Sequence, residues 1–171
     1  MEEISELLSM DPVACLCRLL SDENCAVTMI DRINHEEDIC AILRDPYSSV
    51  ISDATYPGKG LPHPRVYGTY SRLFERYVCD KKVLSVEAAV HKCTGLPAQA
   101  MRLKGKGLLK PGMDADIAVF HPETLREHST FMEPRQLSTG MEYVFVAGQP
   151  ALWQGKPTHH FNGSVLQSTT P

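Results

Sequence analysis

The chain has 171 residues, a formal net charge of −4 from 17 Lys and Arg against 21 Asp and Glu, and a hydrophobic fraction of 43%. This is a globular composition, sufficient for one core or two small ones and too apolar for a disordered tail; its acidic balance excludes the basic stripe that a nucleic-acid backbone requires. No stretch of eighteen apolar residues and no basic start followed by an apolar run occurs, so the expected setting is the cytoplasm, with no membrane span.

In chain order, Asp11 followed by Pro12 reads as an oxygen cap and a residue with φ already set, opening a helix over PVACLCRLL. Apolar residues on every face of that helix predict extensive burial. Cys25–Ile30 is a short β-prone run, and Asn34 with Glu37 has the spacing of a capping box before EEDICAILR. Asp45-Pro46 breaks that helix, and Ser48–Asp53 reads as a second buried strand closed by Asp53. Residues 54–64 are rich in glycine and proline and predict an ordered loop of the kind that lines sites.

Tyr67–Cys79 has helical spacing, Ser85 caps a further helix over VEAAVHKCT, and Pro97 opens another short turn. Strands alternating with helices of this length predict βαβ units and a parallel sheet, with functional residues at the strand C-termini. From about Gly105 the texture changes. Ala115–Phe120 and Glu142–Val146 read as strands, and Ala147-Gly148-Gln149-Pro150 turns the second back towards Ala151–Gln154 in a hairpin that packs on the first.

Several chemical signals carry bland explanations. The six cysteines sit in apolar segments and predict reduced, buried thiols; Cys15-x-Cys17 lies on one helix without further ligands at zinc spacing. His159-His160 point in different directions. Asp114 and Asp116 share a strand face but read as turn and edge residues. Gly58-x-Gly60 lacks the rest of a phosphate loop.

Three patterns in this order carry a resemblance: Ser52-Asp53 followed by HPRVYGT at 63–69, TGLPA at 94–98, and KPGMDADIAVF at 110–120. Together with the Val-Ala-Gly turn at 146–148, the chain resembles the C-terminal portion of an amidohydrolase-superfamily enzyme of the N-acyl-D-amino-acid deacylase (D-aminoacylase) type. The implied fold class is α/β: the last strand-helix units of a TIM-type amidohydrolase barrel, residues 1–104, followed by part of a small β-sandwich, residues 105–171. Because a complete barrel takes about 250 residues, the chain would supply about two of its eight strands, 25–30 and 48–53.

The resemblance implies a metal-dependent hydrolase acting on a non-peptide carbon–nitrogen bond, with an N-acyl amino acid as its small-molecule partner. It implies a zinc ion, which lowers the pKa of a bound water from about 16 to about 7. Asp53 matches the carboxylate that takes a proton from that water and returns it to the departing amine, and it is also a possible metal ligand. Arg65 matches the arginine that clamps the substrate's α-carboxylate through a planar fork, and its other reading is a surface or structural ion pair. His63 and Tyr67 are candidates for the same pocket. The implied His-x-His does not occur in the sequence and the other implied metal ligands would lie upstream of it, so a metal site would be incomplete without a preceding region, a partner chain or self-association. Two other readings are a non-catalytic module that needs such a partner, and a cyclic-amide hydrolase of the dihydropyrimidinase or dihydroorotase kind, for which a carboxylate clamp is unnecessary.

Overall fold

A computed structural model describes residues 2–27, 33–56, 58 and 60–167 of the chain. They divide into two compact units, Met1–Ile33 and Asn34–Pro171.

In the first unit, helix α1 spans Glu2–Leu8 and helix α2 spans Pro12–Asp22. Asp11 caps α2 as its sequence predicts, with one carboxylate oxygen accepting from the Val13 and Ala14 N–H groups at 3.0 and 3.1 Å. The predicted burial of α2 is corrected: Cys15 is enclosed, whereas Val13 and Leu16 are exposed. Among the described residues of this unit, α1 is the one helix beside α2, and one short helix covers one face of its neighbour. Of the predicted strand at 25–30, Cys25 lies in a turn with a positive φ and Ala26 and Val27 belong to no strand; residues 28–30 lie outside the described residues.

The second unit begins with helix α3, Glu36–Arg44. Its cap is His35, without a side-chain cap bond, so the capping box expected at Asn34 and Glu37 does not form. Glu36 instead receives Arg76 in a two-bond pair at 3.2 and 3.0 Å, tying α3 to the next helix. The predicted strand at 48–53 is corrected to an unpaired stretch. A parallel strand exists only through its neighbours, and among the described residues none lies beside it. Val50 N–H finds the Lys92 carbonyl at 3.0 Å instead.

Helix α4 spans Arg65–Arg72 and continues as wider π-helical turns over Leu73–Asp80, which bury Leu73, Phe74, Tyr77 and Val78. Helix α5, Val86–Cys93, starts at Ser85, whose hydroxyl accepts from Ala88 N–H at 3.2 Å, and helix α6 follows over Gly95–Ala100. The core joins α3, α4 with its extension and α5 around Leu43, Leu73, Phe74, Tyr77, Val78, Ala89 and Leu125.

The sheet among the described residues is antiparallel, not parallel: β1 (Ile117–Phe120), β2 (Met141–Val146), β3 (Gln149–Trp153) and β4 (Lys156–Pro157) lie in that order. Ala147 and Gly148, with φ of 50° and 78°, form the tight β2–β3 turn. Phe120 carries the sheet onto the helical core through an edge-to-face contact with Phe74, ring centres 4.9 Å apart. Lys106 pairs with Asp114 and Asp116, and Asp116 also accepts from Ala147 N–H at 2.8 Å, so these carboxylates fasten the sheet's turn. Of the six cysteines, all free, only Cys15 is fully buried; Cys17 and Cys25 are exposed, contrary to expectation. Burial pushes the Cys93 thiol up to about 11.

Candidate functional site

The site is built on the start of α4. Pro64 precedes its first turn, and a cleft of about 540 Å³ opens beside it. Ile39, Leu43 and Val50 form an apolar wall; His63, Arg65, Thr69 and Arg72 come from α4 and its approach. The connection between β1 and β2 closes the cleft with Glu127, Ser129, Thr130 and Phe131.

That connection lies very close to α4. Ser129 hydroxyl donates to the Pro64 carbonyl at 3.0 Å, and Ser71 donates to Ser138 at 2.6 Å. Arg72 pairs with the largely covered Glu127 at 3.0 Å, and Glu127 N–H donates to Glu75 at 2.8 Å. Gly68 makes this approach possible, since a Cβ there would lie 2.3 Å from a Glu127 carboxylate oxygen and 2.6 Å from the Ser129 hydroxyl.

Asp53 follows the unpaired stretch, in a left-handed backbone conformation with φ of 44°. Its carboxylate meets the Arg65 guanidinium at 3.6 Å, with the Asp53 side chain 79% and the Arg65 side chain 44% exposed. His63 Nδ1 accepts the Arg65 backbone N–H at 3.0 Å, and the Phe131 ring stands edge-on to the imidazole at 5.3 Å. With Nδ1 so engaged, the proton of the neutral ring belongs on Nε2. Burial, followed by the Arg65 charge, holds His63 below its ordinary range.

Asp53, Arg65 and His63 are thus brought together, whereas Tyr67 faces another group. Its hydroxyl donates to the Tyr56 hydroxyl at 3.3 Å, which raises Tyr67 and lowers Tyr56. Arg135 lies over the Tyr56 ring at 5.8 Å and donates to the Gly60 carbonyl at 2.7 Å, fastening the loop to the same connection. Sequence reasoning passed over Arg72, Glu127 and Arg135. The spacing of Arg65 and Arg72 places both on one helical face, a readable signal, but nothing local identifies Glu127 as their neighbour.

Among the described residues no group of three or more His, Cys, Asp or Glu side chains could hold a metal ion. The described residues therefore offer only part of the zinc site that the resemblance implies, with Asp53 as the candidate ligand and the Arg65 guanidinium beside it. Among the same residues no helix is long and apolar enough to cross a membrane.

Comparison with known proteins agrees with the family that the sequence resembles. The chain is 33% identical over 156 residues to an N-acyl-D-aspartate deacylase of Alcaligenes xylosoxydans xylosoxydans, covering 91% of this chain and 30% of that protein. A crystal structure of D-aminoacylase superposes with a TM-score of 0.73 at 34% identity, covering 78% of this chain and 28% of the other. The zinc-bound N-acyl-D-glutamate deacylase of Bordetella bronchiseptica, holding a phosphonate mimic of the tetrahedral intermediate, matches at 0.73 and 30% identity over 91% of this chain and 32% of its own. The chain thus spans about a third or less of the length of these relatives. Residues 35–152 match the amidohydrolase family, and the chain belongs to that family.

Proposed function

We propose that the chain forms the C-terminal part of a metal-dependent hydrolase that removes the acyl group from N-acyl-D-amino acids. In this reading residues 1–104 complete a TIM-type barrel and residues 105–171 complete the flanking β-sandwich. The observation that carries it is the meeting of Asp53 and Arg65 beside the cleft, on the motif in which the sequence resembles the deacylases.

Asp53 takes a proton from the water that attacks the acyl carbon. It delivers that proton to nitrogen as the carbon–nitrogen bond breaks, leaving a carboxylate and a free D-amino acid. Arg65 holds the substrate's α-carboxylate; its five N–H donors allow it to keep Asp53 as a second partner. His63 lines the binding pocket and directs Nε2 to the substrate, and Tyr67 supports the pocket through Tyr56. Zinc belongs to this proposal through the resemblance, with its other ligands outside the described residues. The remaining barrel strands come from a preceding region, a partner chain or self-association, and the complete enzyme works in the cytoplasm.

The engagement of Arg65 by Asp53, with no metal-ligand group among the described residues, favours one other reading, a non-catalytic module held to another chain. The polypeptide that carries this chain decides between them when tested against N-acetyl-D-glutamate, N-acetyl-D-aspartate, N-acetyl-D-leucine and dihydroorotate. Deacylation is expected, and Asp53→Asn is expected to lower kcat by about 100- to 10,000-fold. Turnover of dihydroorotate alone would move the assignment to cyclic amides, and no turnover of any of the four would leave the non-catalytic module.

A further inference from the structure

Lys92 lies on α5, is only 5% exposed, and belongs to no part of the site described above. Its Nζ donates to the Asp45 carbonyl at 2.5 Å, the Ser48 carbonyl at 2.9 Å and the Ser48 hydroxyl at 3.0 Å. A lysine has three N–H donors, so this set uses them all. The Ser48 hydroxyl in turn lies 2.5 Å from the Ile42 carbonyl, at the end of α3. The Lys92 backbone takes part as well, its carbonyl receiving Val50 N–H at 3.0 Å. The Asp45 carboxylate meanwhile accepts from Tyr47 N–H at 2.8 Å, so it is the peptide oxygens of this bend that meet the lysine.

One residue therefore grips the stretch 45–50 from two sides. That stretch has no strand partner among the described residues, and it ends three residues before Asp53. A long cation buried against three neutral oxygens is a costly fastening where an apolar side chain would fill the same space, unless the peptide geometry itself is what must be held.

We propose that Lys92 is a positioning residue for Asp53, its Nζ and its carbonyl together fixing the Asp45–Val50 bend that leads to Asp53 and sets its carboxylate against Arg65, which lines the cleft. The structural half of this inference stands by itself; its kinetic half rests on the deacylase reading.

The test uses the polypeptide that carries this chain, with N-acetyl-D-glutamate as the probe. Lys92→Met is expected to lower kcat by about 10- to 100-fold with KM nearly unchanged, because a displaced proton carrier weakens chemistry more than binding. Ser48→Ala, which removes one of the three acceptors, is expected to lower kcat by about threefold to tenfold. Val78→Ala, a core truncation outside the cleft, serves as the control with lowered melting temperature and unchanged kcat. Hydrogen exchange should quicken across residues 47–53 in Lys92→Met and not in the control. Unchanged kcat in Lys92→Met, or an equal fall in the control, would overturn the proposal. If the parent enzyme deacylates nothing, the functional reading fails separately, and exchange at 47–53 alone then decides whether Lys92 holds the bend.

Discussion

The sheet β1–β4 and the stretch from Tyr47 to Pro64 satisfy their backbone groups in opposite ways. In the sheet, each strand pairs with the next in sequence, the tight turn at Ala147-Gly148 sets the register, and Tyr143 stacks edge-on against Trp153 with ring centres 5.0 Å apart. Everything it needs is near at hand in the chain. The stretch 47–64 has no strand pairing among the described residues, and props from far along the sequence hold it: Lys92 at one end, Arg135 and Ser129 at the other. The self-sufficient region carries no candidate catalytic group, whereas the dependent one carries Asp53. A segment held by side chains leaves its own edge open for other elements of a complete active site, which a closed ladder would not.

The joint between the two regions is the place to break this contrast. Phe74→Ala removes the ring that receives Phe120 and should cost about 3–5 kcal/mol of stability. Urea unfolding followed by Trp153 fluorescence and by helical circular dichroism should give coincident transitions at a lower midpoint. If the fluorescence transition kept its midpoint, the sheet would be independent of the helical core. A smaller effect is expected inside the dependent region: Gly68→Ala places a methyl group against Glu127 and Ser129 and should cost about 1–3 kcal/mol in a thermal melt. A neutral result would mean that the connection swings away from α4 freely.

The smallest effect separates the regions by pH. His63 has its folded pKa lowered by burial and by Arg65, whereas the unfolded chain protonates at the ordinary value of 6.5. Its contribution is therefore complete above 6.5 and declines as pH falls below that value, towards the folded pKa. Asp116 is held below its ordinary 3.8 by Ala147 N–H and Lys106, so its contribution is present above 3.8 and declines only below it. Urea midpoints between pH 7 and pH 5 should fall slightly and lose that slope in His63→Asn. A slope retained in that variant would place its source in another group.

What the sequence disclosed follows the same division. The Asp11 and Ser85 caps, the helices they open and the first three strands of the antiparallel sheet were legible because each signal is local: an oxygen before an N–H, alternation, a turn residue with positive φ; β4 was not read, and β3 starts two residues before its expected position. The strand expected at 48–53 was not realised, because periodicity describes a strand's faces and says nothing of its neighbours. The capping box at Asn34 gave way to an ion pair, Glu36 with Arg76, across forty positions. At the candidate site, the motif singled out Asp53, His63 and Arg65, which lie near one another, whereas the Glu127–Ser129 wall arises from packing that no short window contains. The π-helical turns at Leu73–Asp80 had no sequence signal that we can name.

The backbone of Asp53 bears on how such a residue persists. Its φ of 44° lies where a residue with a side chain carries a penalty of about 1–2 kcal/mol and glycine carries almost none. Drift under selection for thermal robustness alone would tend to erase the carboxylate and leave glycine. A lineage in which this position had no chemical role should therefore show its loss early, while Lys92 and the core beneath it still held the bend in shape.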